Sequence, residues 1–288
     1  MKISVIDIGS NSVRLMLWAD GNTLYKKICT TRLGEGLSLT GKLNEEAVSR
    51  TLQAVVKYYR EAEYEGAKQI LAFATAAARR AENGKILVDR IFQACGLNVE
   101  ILSGETEAAV GYLGALEGKD GGVLDIGGAS TEITAGKAGH IIYARSLDIG
   151  TVRLKDLCGE NKQKLTEVIN KKITAFENVP DCALTAIGGT ATTLVALHKK
   201  MKIYDAEKVH GTLLTRDNIF YLADRLLSAT QNERLSMDGM EKGRADVIGG
   251  GALLMGLILD KLDVQTITVS EKDNLEGYLY MKNLQGEL

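Results

Sequence analysis

The chain has 288 residues, 45% of them hydrophobic and 25% charged, with a formal net charge of −2. That length fits two domains more comfortably than one, and the near-zero charge gives no reason to expect a nucleic-acid or membrane partner; a polyanion would need basic residues concentrated locally. No apolar run approaches the ~20 residues of a membrane span, and a strand begins almost at Met1, so no signal peptide is expected. The cysteines Cys29, Cys95, Cys158 and Cys182 are far apart with no CxxC pair, which suits reduced core thiols in a cytoplasmic protein.

The chain opens with strands over 5–8, 13–18 and 23–29, the last two joined by the turn Asp20-Gly21-Asn22. Asn44 reads as an N-cap. After it Val48, Leu52, Val55 and Tyr59 recur on one helical face. A short strand is expected over 69–73, a helix over 76–95 ending at Gly96, a strand over 98–102, and a helix capped by Ser103 that runs to about 116. The segment 116–121 is the natural joint. Beyond it strands are expected near 122–125, 131–136 and 140–147, then a helical stretch over 150–177. A strand over 183–187 follows, with helices near 190–199, 216–228 and 239–261, a strand over 265–269 and a last helix over 274–282. Gly249-Gly250-Gly251 falls inside one of these helices, against propensity by roughly 1 kcal/mol per glycine; close helix packing or approach to a ligand would explain it.

Two copies of one phrase carry the chemistry. The first is Ile6-Asp7-Ile8-Gly9-Ser10-Asn11-Ser12, the second Leu124-Asp125-Ile126-Gly127-Gly128-Ala129-Ser130-Thr131-Glu132. Each reads as a buried strand ending in a carboxylate and a glycine turn, where backbone N–H groups can approach an anion and side chains add donors. Ser10, Asn11 and Ser12, with Gly127, Gly128 and Ser130, are therefore expected phosphate binders. Asp125 and Glu132 frame the second turn and suit Mg²⁺, which takes one or two carboxylates with waters and phosphate oxygens; Asp7 is expected to hold one of its waters. A third turn, Gly188-Gly189-Thr190, leads a strand into a helix N-terminus, a ready phosphate site. Glu107 would point from the first turn of its helix into the cleft, where a carboxylate can act as general base on water. Arg79, at a strand-to-helix junction, could grip a phosphate. Taken singly, each motif also fits a hairpin turn, a solvated helix face or an acid stabilised by a helix dipole.

The element order, three strands followed by alternating helices and strands and then repeated, resembles the ribonuclease-H-like unit of the actin, Hsp70 and sugar-kinase superfamily. The expected fold is α/β, with domains over 1–117 and 118–288, an interdomain cleft, and a last helix (about 274–284) packed back on the first domain. In order along the chain, Asp7 to Ser12, Ala74-Thr75 with Arg79, Ser103-Gly104 with Glu107-Ala108, and Asp125 to Gly128 with Ser130 to Glu132 resemble the exopolyphosphatase and guanosine pentaphosphate phosphohydrolase (Ppx/GppA) family. Gly150 with Val152-Arg153, Ile187 to Thr190, Val209 to Gly211 and Gly239-Met240 with Arg244 to Asp246 extend the match.

The resemblance implies metal-dependent removal of a terminal phosphate, with Mg²⁺ (Mn²⁺ as the alternative). By its pattern Glu107 matches the catalytic base, Arg79 the arginine near the scissile phosphate, and Asp125 and Glu132 the metal-associated carboxylates. Gly127, Ser130, Ser10, Asn11 and the Gly188-Gly189-Thr190 turn match phosphate binders. The chain lacks the helical extension of long members and so resembles the short, two-domain type; a homodimer is also in keeping. It departs from the pattern at Ala109, where an arginine often follows Glu-Ala, at Ala129, where a third glycine is usual, and at Thr106, where a glutamate often precedes the base. Inorganic polyphosphate is the expected substrate, its chain extending along Arg153, Lys155, Lys242 and Arg244. The alternatives are pppGpp, a sugar or acid kinase of the same superfamily, and a polyphosphate- or nucleotide-binding regulator with little catalysis.

Overall fold

The computed structural model describes residues 1–284 and 286. Strands β1 (Lys2–Ile8), β2 (Ser12–Ala19) and β3 (Asn22–Thr30) form an antiparallel meander. Helices α1 (Leu37–Thr40) and α2 (Glu45–Tyr64) follow, then β4 (Gln69–Ala74), α3 (Ala76–Arg80), α4 (Gly84–Cys95) and the short β5 (Glu100–Ile101). β4 pairs parallel to β1, and β5 parallel to β4, giving the sheet order β3-β2-β1-β4-β5. Helix α5 (Gly104–Leu116) leads into a second meander of β6 (Gly121–Ile126), β7 (Thr131–Lys137) and β8 (His140–Leu147). Then come α6 (Thr151–Cys158), α7 (Lys162–Ile173), β9 (Leu184–Ile187), α8 (Gly188–His198), α9 (Ala206–Val209), β10 (Thr212–Thr215), α10 (Arg216–Ser228), α11 (Gln231–Leu235), α12 (Ile248–Lys261), β11 (Thr266–Val269) and α13 (Asn274–Leu284). The second sheet runs β10-β11-β9-β6-β7-β8. Leaving out β10, this repeats the first sheet strand for strand, so the fold is two ribonuclease-H-like units.

Each sheet buries one face under helices. Leu15, Val48, Val55, Leu87 and Ile91 fill the layer between the first sheet and α2 and α4. Leu124, Leu165, Leu194, Ile219, Leu254 and Ile267 belong to the larger core of the second sheet. The other two faces look toward each other across α5 and α13. Tyr112 of α5 packs with Val123 and Ile187 of the second sheet. From α13, Leu275, Tyr278 and Leu279 join Ile3, Val5 and Phe73 of the first, with the Tyr278 and Phe73 ring centroids 4.6 Å apart. The two helices cross at glycines: a Cβ on Gly277 would stand 1.8 Å from the Val110 carbonyl oxygen, and one on Gly114 1.9 Å from that of Asp273.

Several elements differ from the sequence expectation. The helix expected over 76–95 is two helices. Asn83 breaks it by exchanging two hydrogen bonds with the Leu43 backbone (2.7 and 3.0 Å). The stretch 150–177 is likewise split, at Gly159 in the left-handed region and the Asn161 N-cap. Residues 239–247 form a turn with a short 3₁₀ segment instead of extending α12. The short β10, α9 and α11 were not expected, although Thr230 and Glu233 form a capping box at the start of α11. The triple glycine is explained by packing: a Cβ on Gly251 would meet Thr151 and Thr190 methyls at 2.8 and 2.9 Å. Of the four free cysteines only Cys158 is buried, and Cys29 is exposed on β3. Among the described residues no helix is long and apolar enough to cross a membrane.

Because the α5–α13 crossing leaves no room for a side chain, Gly277→Ala is expected to lower unfolding free energy by about 1–3 kcal/mol. Urea titration checks this; an unchanged midpoint would show that the crossing yields freely.

Candidate active site

The two Asp-Ile-Gly turns face each other at the ends of the central strands. In the first, the hairpin register sets Asp7 opposite Arg14. Arg14 donates to Asp7 Oδ2 from Nε (2.9 Å) and Nη2 (2.6 Å), and its Nη1 donates to Asp273. Asp7 Oδ1 and both side-chain polar atoms of Asn11 are buried with no partner. Gly9 and Gly127 close their turns identically, each N–H donating to the carbonyl three residues on, at 3.0 Å. The turns touch: a Cβ on Gly128 would lie 2.9 Å from Ser10 Cβ. The start of α6 braces the second turn, the Val152 N–H donating to Gly128 O (2.8 Å).

Asp125 is the last residue but one of β6 and sits across the ladder from Glu132 of β7. Asn274, the first residue of α13, donates from Nδ2 to Asp125 Oδ2 (2.9 Å), and Ser146 donates to Glu132 Oε1 (2.6 Å). Gly188 follows β9 with φ +79°, and any Cβ there would press on Asp125 Oδ1 at 2.8 Å. A glycine is therefore required both for its backbone angle and for the approach. The Arg244 guanidinium lies against Gly189, 1.9 Å from where a Cβ would be, and pairs with Glu241 through Nε (3.3 Å).

Ser103 caps α5 by accepting from the Thr106 N–H (3.1 Å), which places Glu107 in the first turn, 7% exposed. Arg79 Nη1 donates to Glu107 Oε2 (2.8 Å) and to the Leu102 carbonyl (2.7 Å). A cavity of ≈ 70 Å³ is lined by Glu107, Asp7, Asp125, Thr75, both Asp-Ile-Gly turns, Gly188, Gly189, Arg14, Arg244 and Asn274. It adjoins a larger one of ≈ 560 Å³ that shares Arg14, Gly188, Gly189 and Arg244 with it.

Asp7, Ser10, Asn11, Ser12, Glu107, Asp125, Gly127, Gly128, Ser130, Gly188 and Gly189 thus share one cavity. Three other residues singled out in the sequence stand behind this wall. Arg79 holds Glu107 and does not line the cavity. Glu132 is buried beside Ser146. The Thr190 hydroxyl donates to the Ile126 carbonyl (2.8 Å); it fastens α8 to β6 and is not available to a phosphate. Arg14, Asp273 and Asn274 were not identified as site residues from the sequence. Arg14 could have been found from the hairpin register opposite Asp7. Asp273 and Asn274 carry no local signal, because only the return of α13 brings them here.

Burial pushes up the carboxyls. It raises Asp7 despite the Arg14 pair and Glu107 despite Arg79. Asp125 is pushed to about 7 by burial and then by the Glu107 charge, and Glu132 is held well above the usual carboxylate range by burial and the charges of Glu107 and Asp125. Among the described residues no three His, Cys, Asp or Glu side chains cluster as a self-sufficient metal cage. The donors are nevertheless all oxygens, Asp7 Oδ1 has no partner, and the like charges repel. This suits a hard divalent cation completed by water and substrate oxygens.

Two ribonuclease-H-like units with acidic strand ends and glycine turns facing one cavity define a phosphoryl-handling protein of actin-like architecture. The chain belongs to the Ppx/GppA phosphatase family, whose model matches residues 18–285, a family that generally implies a divalent metal. It is 31% identical to exopolyphosphatase 2 of Mycobacterium tuberculosis over 96% of this chain and 97% of that one. It is 32% identical to the bifunctional 3-dehydroquinate synthase/phosphatase of Fusobacterium nucleatum, over 94% of the chain but only 45% of that protein's length. A guanosine-5'-triphosphate,3'-diphosphate pyrophosphatase of Photobacterium profundum is 25% identical over 96% of the chain and 58% of its own length. In structure it resembles the Aquifex aeolicus Ppx/GppA family member (TM-score 0.81, 30% identity, 100% of this chain and 99% of that one). It also resembles an exopolyphosphatase from Cytophaga hutchinsonii (TM-score 0.88, 28% identity, 99% and 98%).

Raised carboxyl pKa values mean that the metal-free folded protein holds more protons than the unfolded chain between about pH 4 and pH 7, so its stability falls as pH rises through that window. A divalent cation favours the ionised carboxylates. Added Mg²⁺ is therefore expected to raise the melting temperature more at about pH 8 than at about pH 5. Thermal melts with and without chelator check this; equal shifts at both pH values would remove the carboxylates as the metal's holders.

Proposed function

We propose that the chain is an exopolyphosphatase that removes the terminal phosphate of inorganic polyphosphate by in-line attack of water, with Mg²⁺ (or Mn²⁺) as cofactor. The observation that carries the reading is Glu107, buried at a cavity wall between two phosphate-type turns and tied back by Arg79. Phosphoryl transfer needs positioning and charge neutralisation more than covalent chemistry, and each wall contributes one of these.

The backbone N–H groups of Ser10, Asn11, Gly128, Ala129 and Ser130 and of the Gly188–Gly189 turn, with the Asn11 side chain, receive the terminal phosphate oxygens. Arg14 and Arg244, at the boundary with the larger cavity, meet the next phosphates. Glu107 accepts a proton from the attacking water as its oxygen bonds to phosphorus and the phosphoanhydride P–O bond breaks; the electron pair leaves with the shortened chain. Arg79 acts as a positioning residue, fixing the carboxylate of Glu107 and keeping one oxygen occupied so that the other takes the proton. Asp125 and Asp7 are the carboxylates that would hold the metal, with Glu132 adding charge from behind. Bound there, the metal neutralises charge on the transferring phosphate. With Arg79 in this position, Ala109 leaves Glu107 still oriented by a cation.

The larger cavity supports pppGpp as a second substrate. Its ≈ 560 Å³ lies in the range of small-molecule pockets, and Met201, Met237, Met240 and Tyr204 give it apolar walls next to the Gly188-Gly189 turn. Phosphate release from long polyphosphate, tripolyphosphate, pppGpp and ATP, measured side by side in Mg²⁺ with no acceptor added, tests the reading. Release from polyphosphate ahead of the others, lost on chelation, is expected. Transfer from ATP only when a sugar or acid acceptor is supplied would identify a kinase, and binding without turnover would identify a regulator.

A further inference from the structure

One loop of the first unit reaches both the Ser10–Asn11 turn and the second unit. After β3, Thr31 and Arg32 donate their backbone N–H groups to the Asn11 carbonyl (3.1 and 2.9 Å), and the Gly34 N–H donates to that of Ser10 (2.8 Å). Gly34 sits so close that a Cβ on it would stand 3.1 Å from Ser10 Cβ. Arg50 of α2 also holds the loop, its Nε donating to the Thr31 carbonyl (3.1 Å). Arg32 itself has φ +52°, a left-handed backbone that so large a residue adopts only where its surroundings hold it there.

From that backbone the Arg32 side chain crosses to the second unit. Its Nη1 and Nη2 donate to the two carboxylate oxygens of Asp246, the second at 2.6 Å. Burial would raise the Asp246 carboxyl, but the hydrogen bonds and charge of Arg32, with Lys155 adding to them, hold it below the usual range. A forked pair of this kind fixes orientation as well as distance. Asp246 lies two residues past Arg244, which ends the short 3₁₀ segment. The Arg244 guanidinium packs on Gly189 and lines both cavities. The units meet closely here: a Cβ on Gly243 would stand 1.9 Å from Thr30 Oγ1. The same loop makes a second tie, from the Gly36 N–H to Asp156 Oδ2 (3.1 Å) on α6, the helix whose start braces the Gly128 turn. Arg32 and Asp246 line neither cavity. Arg32 thus joins the Ser10–Asn11 turn through its backbone to the segment carrying Arg244 through its side chain.

We propose that Arg32 and Asp246 are positioning residues, a clasp that sets the spacing between the Ser10–Asn11 turn and Arg244 and so the fit of a ligand spanning more than one phosphate. The inference rests on the reading of the cavity as a phosphate site. A single phosphate meets the turns alone, whereas linked phosphates must meet the turns and Arg244 together. Loosening the clasp therefore weakens the longer ligand more.

Asp246→Asn keeps the shape of the side chain and lies in the unit opposite the loop it restrains. Two measurements on the full chain test the clasp. In the ligand-free variant, hydrogen exchange at the Thr31, Arg32 and Gly34 amides is expected to quicken about tenfold, although the substitution is in the other unit. In calorimetry with Mg²⁺, methylenediphosphonate, whose P–C–P link resists hydrolysis, is expected to bind about tenfold more weakly, and orthophosphate to lose much less. Unchanged exchange would overturn the proposal. Equal weakening of both ligands would also overturn it, because a general loss of structure does not distinguish them. If Asp246→Asn does not fold, Arg32→Lys, which keeps the charge but not the fork, must show the same selective weakening with faster exchange at Thr31 and Gly34; its failure to do so would likewise overturn the proposal. If exchange quickens while the wild-type protein binds neither ligand, the coupling between the units stands and the phosphate reading of the cavity fails.

Discussion

Asp7, Glu107 and Glu132 are buried and Asp125 is partly buried around one cleft, and much of the surrounding structure serves to keep them there. Burial penalises each ionised carboxylate, and each negative charge penalises the next. Among the described residues only Arg14 and Arg79 pair with this group directly, and each is itself held elsewhere, Arg14 by Asp273 and Arg79 by the Leu102 carbonyl. Asn274 and Ser146 donate to Asp125 and Glu132 without adding charge. The result is a cluster of carboxyls with too little positive charge beside it, which suits a divalent cation.

The doubled fold produces this crowding. In each ribonuclease-H-like unit the first strand ends in Asp-Ile-Gly and the hairpin partner starts immediately after the turn. Facing the units places both strand ends, and both sets of turn amides, on one cavity. Neither copy supplies the proposed base. That comes from α5, which connects the units and lies between the sheets, so its first turn opens onto the cleft. Helix α13 returns to cover the first sheet and carries Asp273 and Asn274 into the same place. The Arg32–Asp246 pair (Nη2–Oδ1 2.6 Å) spans the units at another point.

The strand order and the cleft were legible because they rest on local signals: apolar runs ending at Asp-Ile-Gly, and the Asn44 and Ser103 caps. Asp7, Glu107 and Asp125, which line one cavity, were singled out by the same route. What sequence could not show was which side of a residue faces the cavity. Thr190 looked like a phosphate ligand and is a backbone brace. Arg79, expected near the scissile phosphate, donates to Glu107 and does not line the cavity. Arg14 looked like an ordinary strand residue, yet register sets it against Asp7. Helix breaks at 81–83 and 159–161 escaped notice because Asn83 and Asn161 act through contacts that helical periodicity does not register.

The central claim is that Glu107 takes the proton from the attacking water. Glu107→Gln keeps the shape and the contact with Arg79 but removes the base. The variant should release phosphate from polyphosphate about 10²–10⁴-fold more slowly, while binding the chain with nearly wild-type affinity. Release at the wild-type rate by a folded Glu107→Gln protein would contradict the account.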